Sequence, residues 1–377
     1  MNILIFSPGY PDSKRSVYPF VKHLVDEWGR QGHHCTVVAC YSITNTKSFT
    51  KFKTEKTFES GGKVTVYRPN ILTFSNIKIF GFSLTTYFQK RGIRRALKHL
   101  KEKQDAVYCH FWQSGHDGYL YTKKNDTPMF IATGESDIKK LLGDTNLPFQ
   151  DKVKGVVCVS TKNKEESIHL GLTTAEQCEI IPNAINPQVF RKLDKSECRK
   201  RLGISSDVFI IAFVGAYKTN KGADRLSEAI KLISGQTVYS FFIGSGSVAP
   251  SAPNMLFEGR LLQQDIPIYL NAADVFVLPT LAEGCCNAII EAMACGLPII
   301  SSDLPFNWDV LNEKNSILID PNNINQIADA IKRLRDCREL RSKMSEEALK
   351  TAQELTIDKR AKRILEFIEN KLSNNQK

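Results

Sequence analysis

One stretch, Asp274 to Asp303, limits most sharply what this chain can fold into. It begins with Asp274-Val-Phe-Val-Leu-Pro279, a short apolar strand stopped by proline. Glu283 and Gly284 turn the chain. Good helix formers run from about Cys286 to Cys295, and Gly296-Leu-Pro298 ends that helix. Leu297 to Ser301 is a second apolar strand. Strand, loop, helix and strand make a βαβ unit, which belongs in a parallel sheet, so the fold class is α/β.

Two carboxylates frame the start of this helix. Glu283 lies in the loop and Glu291 inside the helix, separated by up to roughly 12 Å at ~1.5 Å per residue. Between them lie the unpaired N–H groups of a helix N-terminus, which attract anions. The unit therefore offers an acceptor, an anion cradle and a second acceptor in a row. A nucleotide sugar presents sugar hydroxyls, a diphosphate and ribose hydroxyls in the same order. The plain alternative is a pair of carboxylates on a solvated helix face. Ala292, Met293 and Ala294 argue against it, because they place Glu291 beside a small, packed surface. The loop also follows the carboxyl end of a strand, where open α/β sheets bind ligands.

The same residues carry a family resemblance. Glu283-Gly-x-x-Asn287-x-x-x-Glu291-Ala-Met-Ala-x-Gly-x-Pro-Ile resembles the signature of the retaining glycosyltransferases of family 4. That resemblance implies the GT-B fold: two Rossmann-like domains with parallel sheets facing a central cleft. It further implies an acceptor-binding domain over 1–187, a domain for the nucleotide sugar over 188–355, and a last helix over 356–377 crossing back to the first. Glu283 would bond and orient the sugar, Glu291 would hold the ribose, and the amides at Gly284, Cys285, Cys286 and Asn287 would meet the diphosphate. Lys221-Gly222 is similar to the family's Lys-Gly, with Lys221 as the cation for the diphosphate. The family's arginine position is Ala216 here, and Lys218 is the weaker substitute for that charge. Arg260, after a strand and glycine at Asn254 to Gly259, would border the nucleobase. His110, closing the strand Asp105 to His110, would act on the transferred sugar. Gly9, in Ser7-Pro-Gly-Tyr-Pro11, would let backbone approach a ligand; a plain turn glycine is the equal alternative. The family's glycine pair is missing from the following Ser13-Lys-Arg-Ser-Val-Tyr18. Ser302-Asp-Leu-Pro-Phe-Asn307 resembles bacterial polysaccharide-assembly members, which implies a saccharide or lipid-linked saccharide acceptor. No metal and no cofactor are expected beyond the nucleotide sugar substrate.

The rest of the chain is consistent with two such halves. At 377 residues it is longer than one ordinary core spans. The longest apolar run, Val208 to Val214, is far too short to cross a membrane. The first residues lack a basic region and a long apolar core, so no secretory signal is expected. The ten cysteines have no C-x-x-C spacing, which points to reduced thiols and a cytoplasmic setting. Asn2 to Phe6, Val17 to Arg30 and Gly32 to Ala39 read as strand, helix and strand; Val208 to Gly215 and Ala223 to Ile233 open the second half.

The net charge of +11 is not spread evenly. Lys47 to Lys103 holds fourteen Lys or Arg against three Glu and no Asp, an excess equal to that of the whole chain. Within it, a helix with Ile93, Leu97 and Leu100 on one face carries Arg91, Arg94, Arg95, Lys98 and Lys101 on the others. Phe80, Phe82, Tyr87 and Phe88 precede or adjoin it. A packed helix with a solvated basic face accounts for this pattern, and so does contact with an anionic membrane surface. No nucleic-acid-binding motif accompanies the charge, so no nucleic-acid partner is expected. Two other functions share the architecture: a sugar-nucleotide epimerase, and a catalytically silent nucleotide-sugar-binding protein, which the alanine at 216 keeps in view.

Overall fold

Short apolar runs alternating with amphipathic helices build two parallel sheets, each in its own compact unit. A computed structural model describes residues 1–12, 17–74, 78–79, 82–143, 146–233 and 238–373. The first unit comprises 1–159, 163–181 and 360–377; the second comprises 160–162 and 182–359.

The first unit holds an eight-stranded sheet. Its strands are β1 (Asn2–Phe6), β2 (His34–Val38), β3 (Lys53–Thr57), β4 (Lys63–Tyr67), β5 (Ala106–His110), β6 (Met129–Thr133), β7 (Val153–Cys158) and β8 (Cys178–Ile180). Their spatial order is β8-β7-β6-β5-β1-β2-β4-β3. All neighbours pair in parallel except β3 and β4, which pair antiparallel with Lys53 opposite Tyr67. The central strands are buried along nearly their whole length, because helices cover both faces of a parallel sheet. The edge strand β3 is instead a charged, exposed Lys-Thr-Glu-Lys-Thr, which discourages pairing with another chain.

Helix α1 (Pro19–Arg30) starts from Tyr18 in the left-handed region (φ 52°), with Pro19 in its first turn. It buries Val21, Leu24, Val25 and Trp28 against the sheet. Helix α2 (Leu84–Leu97) is capped by the Ser83 hydroxyl, which accepts from Thr86 N–H. It buries Ile93 and Ala96, with Leu97 and Leu100 half-buried, and turns Arg91, Arg94, Arg95 and Lys98 outward. Of the aromatics beside it, Phe80 and the side chain of Phe82 lie outside the described residues. Tyr87 is 56% exposed, and Phe88 packs on Phe74 at 6.0 Å. Helix α3 (Gly115–Thr122) follows β5.

The second unit has a six-stranded, all-parallel sheet: β9 (Phe209–Val214), β10 (Val238–Ile243), β11 (Met255–Gly259), β12 (Val275–Leu278), β13 (Ile299–Ser302) and β14 (Ser316–Ile319). The order is β11-β10-β9-β12-β13-β14. Helix α4 (Ala223–Leu232) follows β9, and helix α5 (Asn287–Ala294) joins β12 to β13. Buried Asp274 anchors the sheet's base, accepting from Arg199 at 2.8 Å, Lys195 at 2.5 Å and Ile210 N–H at 2.7 Å.

The division falls at 181/182 and 359/360, not at 187/188 and 355/356. Ile185 explains both shifts. Its N–H donates to Leu355 C=O and its C=O accepts from Ile357 N–H, each at 2.9 Å. This bridge fastens 182–187 and the start of the last helix, α6 (Ile357–Ser373), to the second unit. From Arg360 onward α6 packs on the first. It buries Ile364, Leu365, Phe367 and Ile368, each contributing about 1.5–3 kcal/mol as an upper value. Trp28 Nε1 donates to Ala361 C=O at 3.0 Å and Arg360 to Ile181 C=O at 2.6 Å.

Candidate active site

In an open parallel sheet, ligands bind beyond the carboxyl ends of the strands, where neighbouring strands send their connections to opposite sides. In the second sheet that point lies between β9 and β12, since β9 leads to β10 on one side and β12 to β13 on the other. The loops after β9 and β12 meet there. Gly222 has φ +80°, and a Cβ on it would stand 2.6 Å from Pro279 C=O, so the lysine-glycine pair needs its glycine. Leu281 N–H donates to Asn220 C=O at 2.7 Å, and Arg225 bridges Thr219 C=O and Pro279 C=O, each at 2.7 Å. Sequence reasoning passed over Arg225, which holds the two loops together.

This clamp places Lys221 Nζ on the Glu283 carboxylate, both largely shielded from solvent. Their residues lie 62 apart in sequence, and their pairing was not anticipated. Gly284 and Cys285 lead on to α5. Asn183 Nδ2 donates to Cys285 C=O at 2.9 Å and fixes that turn. No side-chain cap closes the start of α5; the Cys286 thiol, a weak acceptor, faces Ile289 N–H. The N–H groups at Cys286 and Asn287 thus belong to an uncapped helix start, which favours an anion. Glu291 is half-buried one turn further on. Burial pushes its carboxyl up to about 7, against the hydrogen bond from the Gln263 side chain. Arg260 is exposed at the end of β11 and donates through Nε to Ser245 Oγ, after β10. Lys218 is exposed in the loop that ends at Lys221. The loop containing Ser302 to Asn307 is a support: buried Asn307 Nδ2 donates to Ser302 C=O at 2.8 Å, and Ser302 Oγ donates to Thr280 C=O at 2.5 Å.

The first sheet has its own switch point between β1 and β5. His110 ends β5 and is 6% exposed. Burial, with help from Arg360, pulls its pKa down to about 3, so the ring is neutral. Its Nδ1 is buried and takes no partner among the described residues. Phe20 and Phe111 flank the ring at 5.2 and 4.8 Å. Phe111 has φ 71°, a strained value for a bulky residue, held by its N–H to Ala132 C=O at 2.7 Å. Glu135 fixes the next residue by accepting from Trp112 N–H at 2.8 Å and from Thr133 Oγ1 at 2.6 Å. Gly9 makes room for packing: a Cβ there would meet Val17 at 2.9 Å and Tyr18 at 3.0 Å. Most of the following loop, 13–16, lies outside the described residues.

Among the described residues no three His, Cys, Asp or Glu side chains gather as a metal group, and no helix is long and apolar enough to cross a membrane. All ten cysteines are free thiols.

Two family profiles match the chain: "Glycosyltransferase Family 4" over residues 19–189 and "Glycosyl transferases group 1" over 194–351. The chain is 27% identical over 269 residues to a Bacillus subtilis glycosyltransferase provisionally named for teichuronic acid biosynthesis, covering 65% of each chain. It is 28% identical over 261 residues to the UDP-Gal:alpha-D-GlcNAc-diphosphoundecaprenol alpha-1,3-galactosyltransferase of Escherichia coli, covering 63% of this chain and 67% of that one. The chain thus spans about two thirds of the length of these relatives. Among solved structures, sucrose-phosphate synthase from Thermosynechococcus elongatus superposes with a TM-score of 0.77 at 18% identity, covering 99% of each chain. That likeness establishes the fold, a GT-B arrangement of two Rossmann-like units.

Proposed function

The chain belongs to the family 4 glycosyltransferases of GT-B fold, and on that premise we propose that it moves a hexose or hexosamine from a nucleoside diphosphate sugar to an acceptor hydroxyl with anomeric retention. The observation that carries this reading is the Lys221–Glu283 pair at the β9/β12 switch point, beside the uncapped start of α5. On donor binding, Lys221 leaves Glu283 for the diphosphate, and Glu283 turns to the sugar hydroxyls. Glu291 accepts from the ribose. Arg260 borders the base.

In the reaction the bond between the anomeric carbon and the leaving phosphate oxygen breaks, and negative charge builds on that oxygen. Lys221 and the α5 amides are already in place to meet it, so little reorganisation accompanies the charge. The acceptor oxygen bonds to the anomeric carbon on the face the phosphate leaves, and its proton passes to the departing phosphate. His110, neutral and with Nδ1 free of partners among the described residues, bonds the sugar. The protein itself supplies the positive charge at the diphosphate in this scheme.

The name of the Escherichia coli relative specifies a sugar on diphosphoundecaprenol as its acceptor. For this chain a lipid-linked saccharide at an anionic membrane surface is likewise the proposed acceptor. The cationic face of α2 supports that reading. A nucleotide-sugar screen by thermal shift tests the donor half, since a ligand at 100 Kd adds ~2.7 kcal/mol of stability. Transfer to undecaprenyl diphosphate saccharides, with the product's anomeric configuration read by NMR, tests the rest. An inverted product overturns retention. Epimerised nucleotide sugar without any glycoside product overturns transfer.

A further inference from the structure

The first unit contains a cavity of about 210 Å³ lined by its own residues alone. It opens at the carboxyl ends of β1 and β2 and the start of α3, beside the β1/β5 switch point. Its lining has two characters. Ser7, Ser42, Thr73, Gln89, Ser114 and Asp117 supply hydroxyls, amides and one carboxyl, while Val38, Ile71 and Ile93 supply an apolar side. Among these lining residues Asp117 is the sole acid, and there is no Lys, Arg or His.

Asp117 is held but not used up. Gln89 Nε2, from α2, donates to Oδ2 at 2.7 Å, and Oδ1 takes no hydrogen bond from the described residues. A half-buried carboxyl with a spare oxygen and no cation among the residues that line the cavity suits a neutral hydrogen-bond donor. Burial pushes this carboxyl up to about 6, outweighing the Gln89 hydrogen bond and the charge of Lys90. An uncharged pyranose meets all of these conditions, with hydroxyl edges for the polar groups and a C–H face for the isoleucines. An anionic ring does not, because Asp117 repels it.

The neighbouring groove is the opposite in charge. It measures about 670 Å³, shares Ile71 with the cavity, and is lined by Arg91, Arg94, Arg95 and Lys98 together with Tyr87 and Phe88. We infer that the Asp117 cavity binds one uncharged pyranose ring of the acceptor, with the acceptor's anionic, lipid-bearing end continuing along α2. This rests on the glycosyltransferase reading above and narrows it, because it makes the receiving sugar neutral.

Saturation-transfer NMR on the full chain with methyl glycosides tests the inference without needing turnover. Methyl glucoside, galactoside and N-acetylglucosaminide are compared with methyl glucuronide. At least one neutral glycoside is expected to bind saturably, and the glucuronide at least several-fold more weakly than methyl glucoside. Asp117→Asn is expected to weaken the neutral glycoside at least tenfold and Gln89→Met by a smaller factor. If Asp117→Asn fails to fold, Gln89→Met, which alters a half-buried side chain, carries the comparison. Absence of neutral glycoside binding, equal binding by the variants, or glucuronide binding as tight as glucoside overturns the inference. Failure of transfer from every nucleotide sugar, with these glycoside results intact, overturns the transferase reading instead.

Discussion

The two switch points use the same topology and opposite chemistry. In the second sheet, the loops after β9 and β12 bring together a lysine, a glutamate and the free end of a helix, a setting for a diphosphate. In the first, β1 and β5 lead to a neutral histidine and a cavity whose one charge is a carboxylate, a setting for hydroxyls. The basic groups of the first unit stand outside that cavity, on α2. The difference teaches that the chain's positive charge says little about its donor chemistry. In the proposed scheme one lysine with aligned amides would serve the diphosphate, while the exposed cations Arg91, Arg94, Arg95 and Lys98 of α2 belong to a surface.

The strongest break of this contrast is Lys221→Ala. If Lys221 is the cation at the leaving phosphate, its removal lowers kcat by about 10²–10³-fold, the usual loss for one such group. Glucosyl, galactosyl or N-acetylhexosaminyl transfer by the full chain is the measurement. A loss of only a few-fold leaves the diphosphate to the helix amides alone.

Next is the surface. Replacing Arg91, Arg94 and Arg95 with Gln removes three charges, each contributing ~1 kcal/mol near an anionic leaflet. Co-sedimentation with anionic vesicles at low salt is expected to fall steeply, with nucleotide binding unchanged. Arg95 also lies over the Phe52 ring at 4.8 Å, so the melting temperature is checked alongside. Equal binding of the parent chain to neutral and anionic vesicles separates α2 from any membrane role.

How much of this was legible beforehand follows the same division. The donor side is local: strand, loop and α5 occupy one continuous stretch, and the Glu-x₇-Glu spacing survives reading by eye. Gly222 was legible only through the family's Lys-Gly pair; its physical reason, the close approach to Pro279, is a tertiary contact that the fold supplies. The cavity proposed for the acceptor is assembled from residues 7, 42, 73, 89, 114 and 117, which only the fold brings together. No periodicity points from Gln89 to Asp117. The hairpin of β3 and β4 was also missed, although Gly61-Gly62 and the alternation of Lys63-Val-Thr-Val-Tyr67 mark it. The lysines of β3 give that strand a polar pattern on both faces because they protect an edge. The domain limits shifted because the Ile185 bridge to Leu355 and Ile357 is a long-range contact.

Glu283→Gln sharpens the donor side further. Read separately, Glu283 and Lys221 predict that this change leaves nucleoside diphosphate affinity as it was. Their pairing predicts something else. Lys221 no longer has to leave a carboxylate, so free nucleoside diphosphate binds as tightly as to the parent chain or tighter. Turnover falls by ~10–100-fold, since one charge-assisted hydrogen bond to the sugar is worth about 1.5–3 kcal/mol. Calorimetry with the nucleoside diphosphate and a transfer assay read the two effects apart. Weaker nucleotide binding by the variant would show that Glu283 organises the site instead of restraining Lys221.

The smallest expected effect is a pH dependence at Glu291. Its carboxyl is pushed up to about 7 by burial, so near neutrality a sizeable share of the protein carries it protonated. The ribose hydroxyls are donors and need the ionised form. Below pH 7 binding must first expel a proton, at about 1.4 kcal/mol for each pH unit, so affinity rises with pH up to about 7 and levels off above it. An intact nucleotide sugar is the proper probe, because its doubly esterified diphosphate does not titrate in this range. Between pH 6 and pH 8 its affinity is expected to increase several-fold, within the tenfold that one unit allows. Glu291→Gln is expected to flatten that rise and to bind about 1–3 kcal/mol more weakly at pH 8. The neutral His110 titrates far below this window and leaves the profile to the carboxyl. A flat profile for the parent chain, or a variant that keeps the slope, would assign the ribose to some other group.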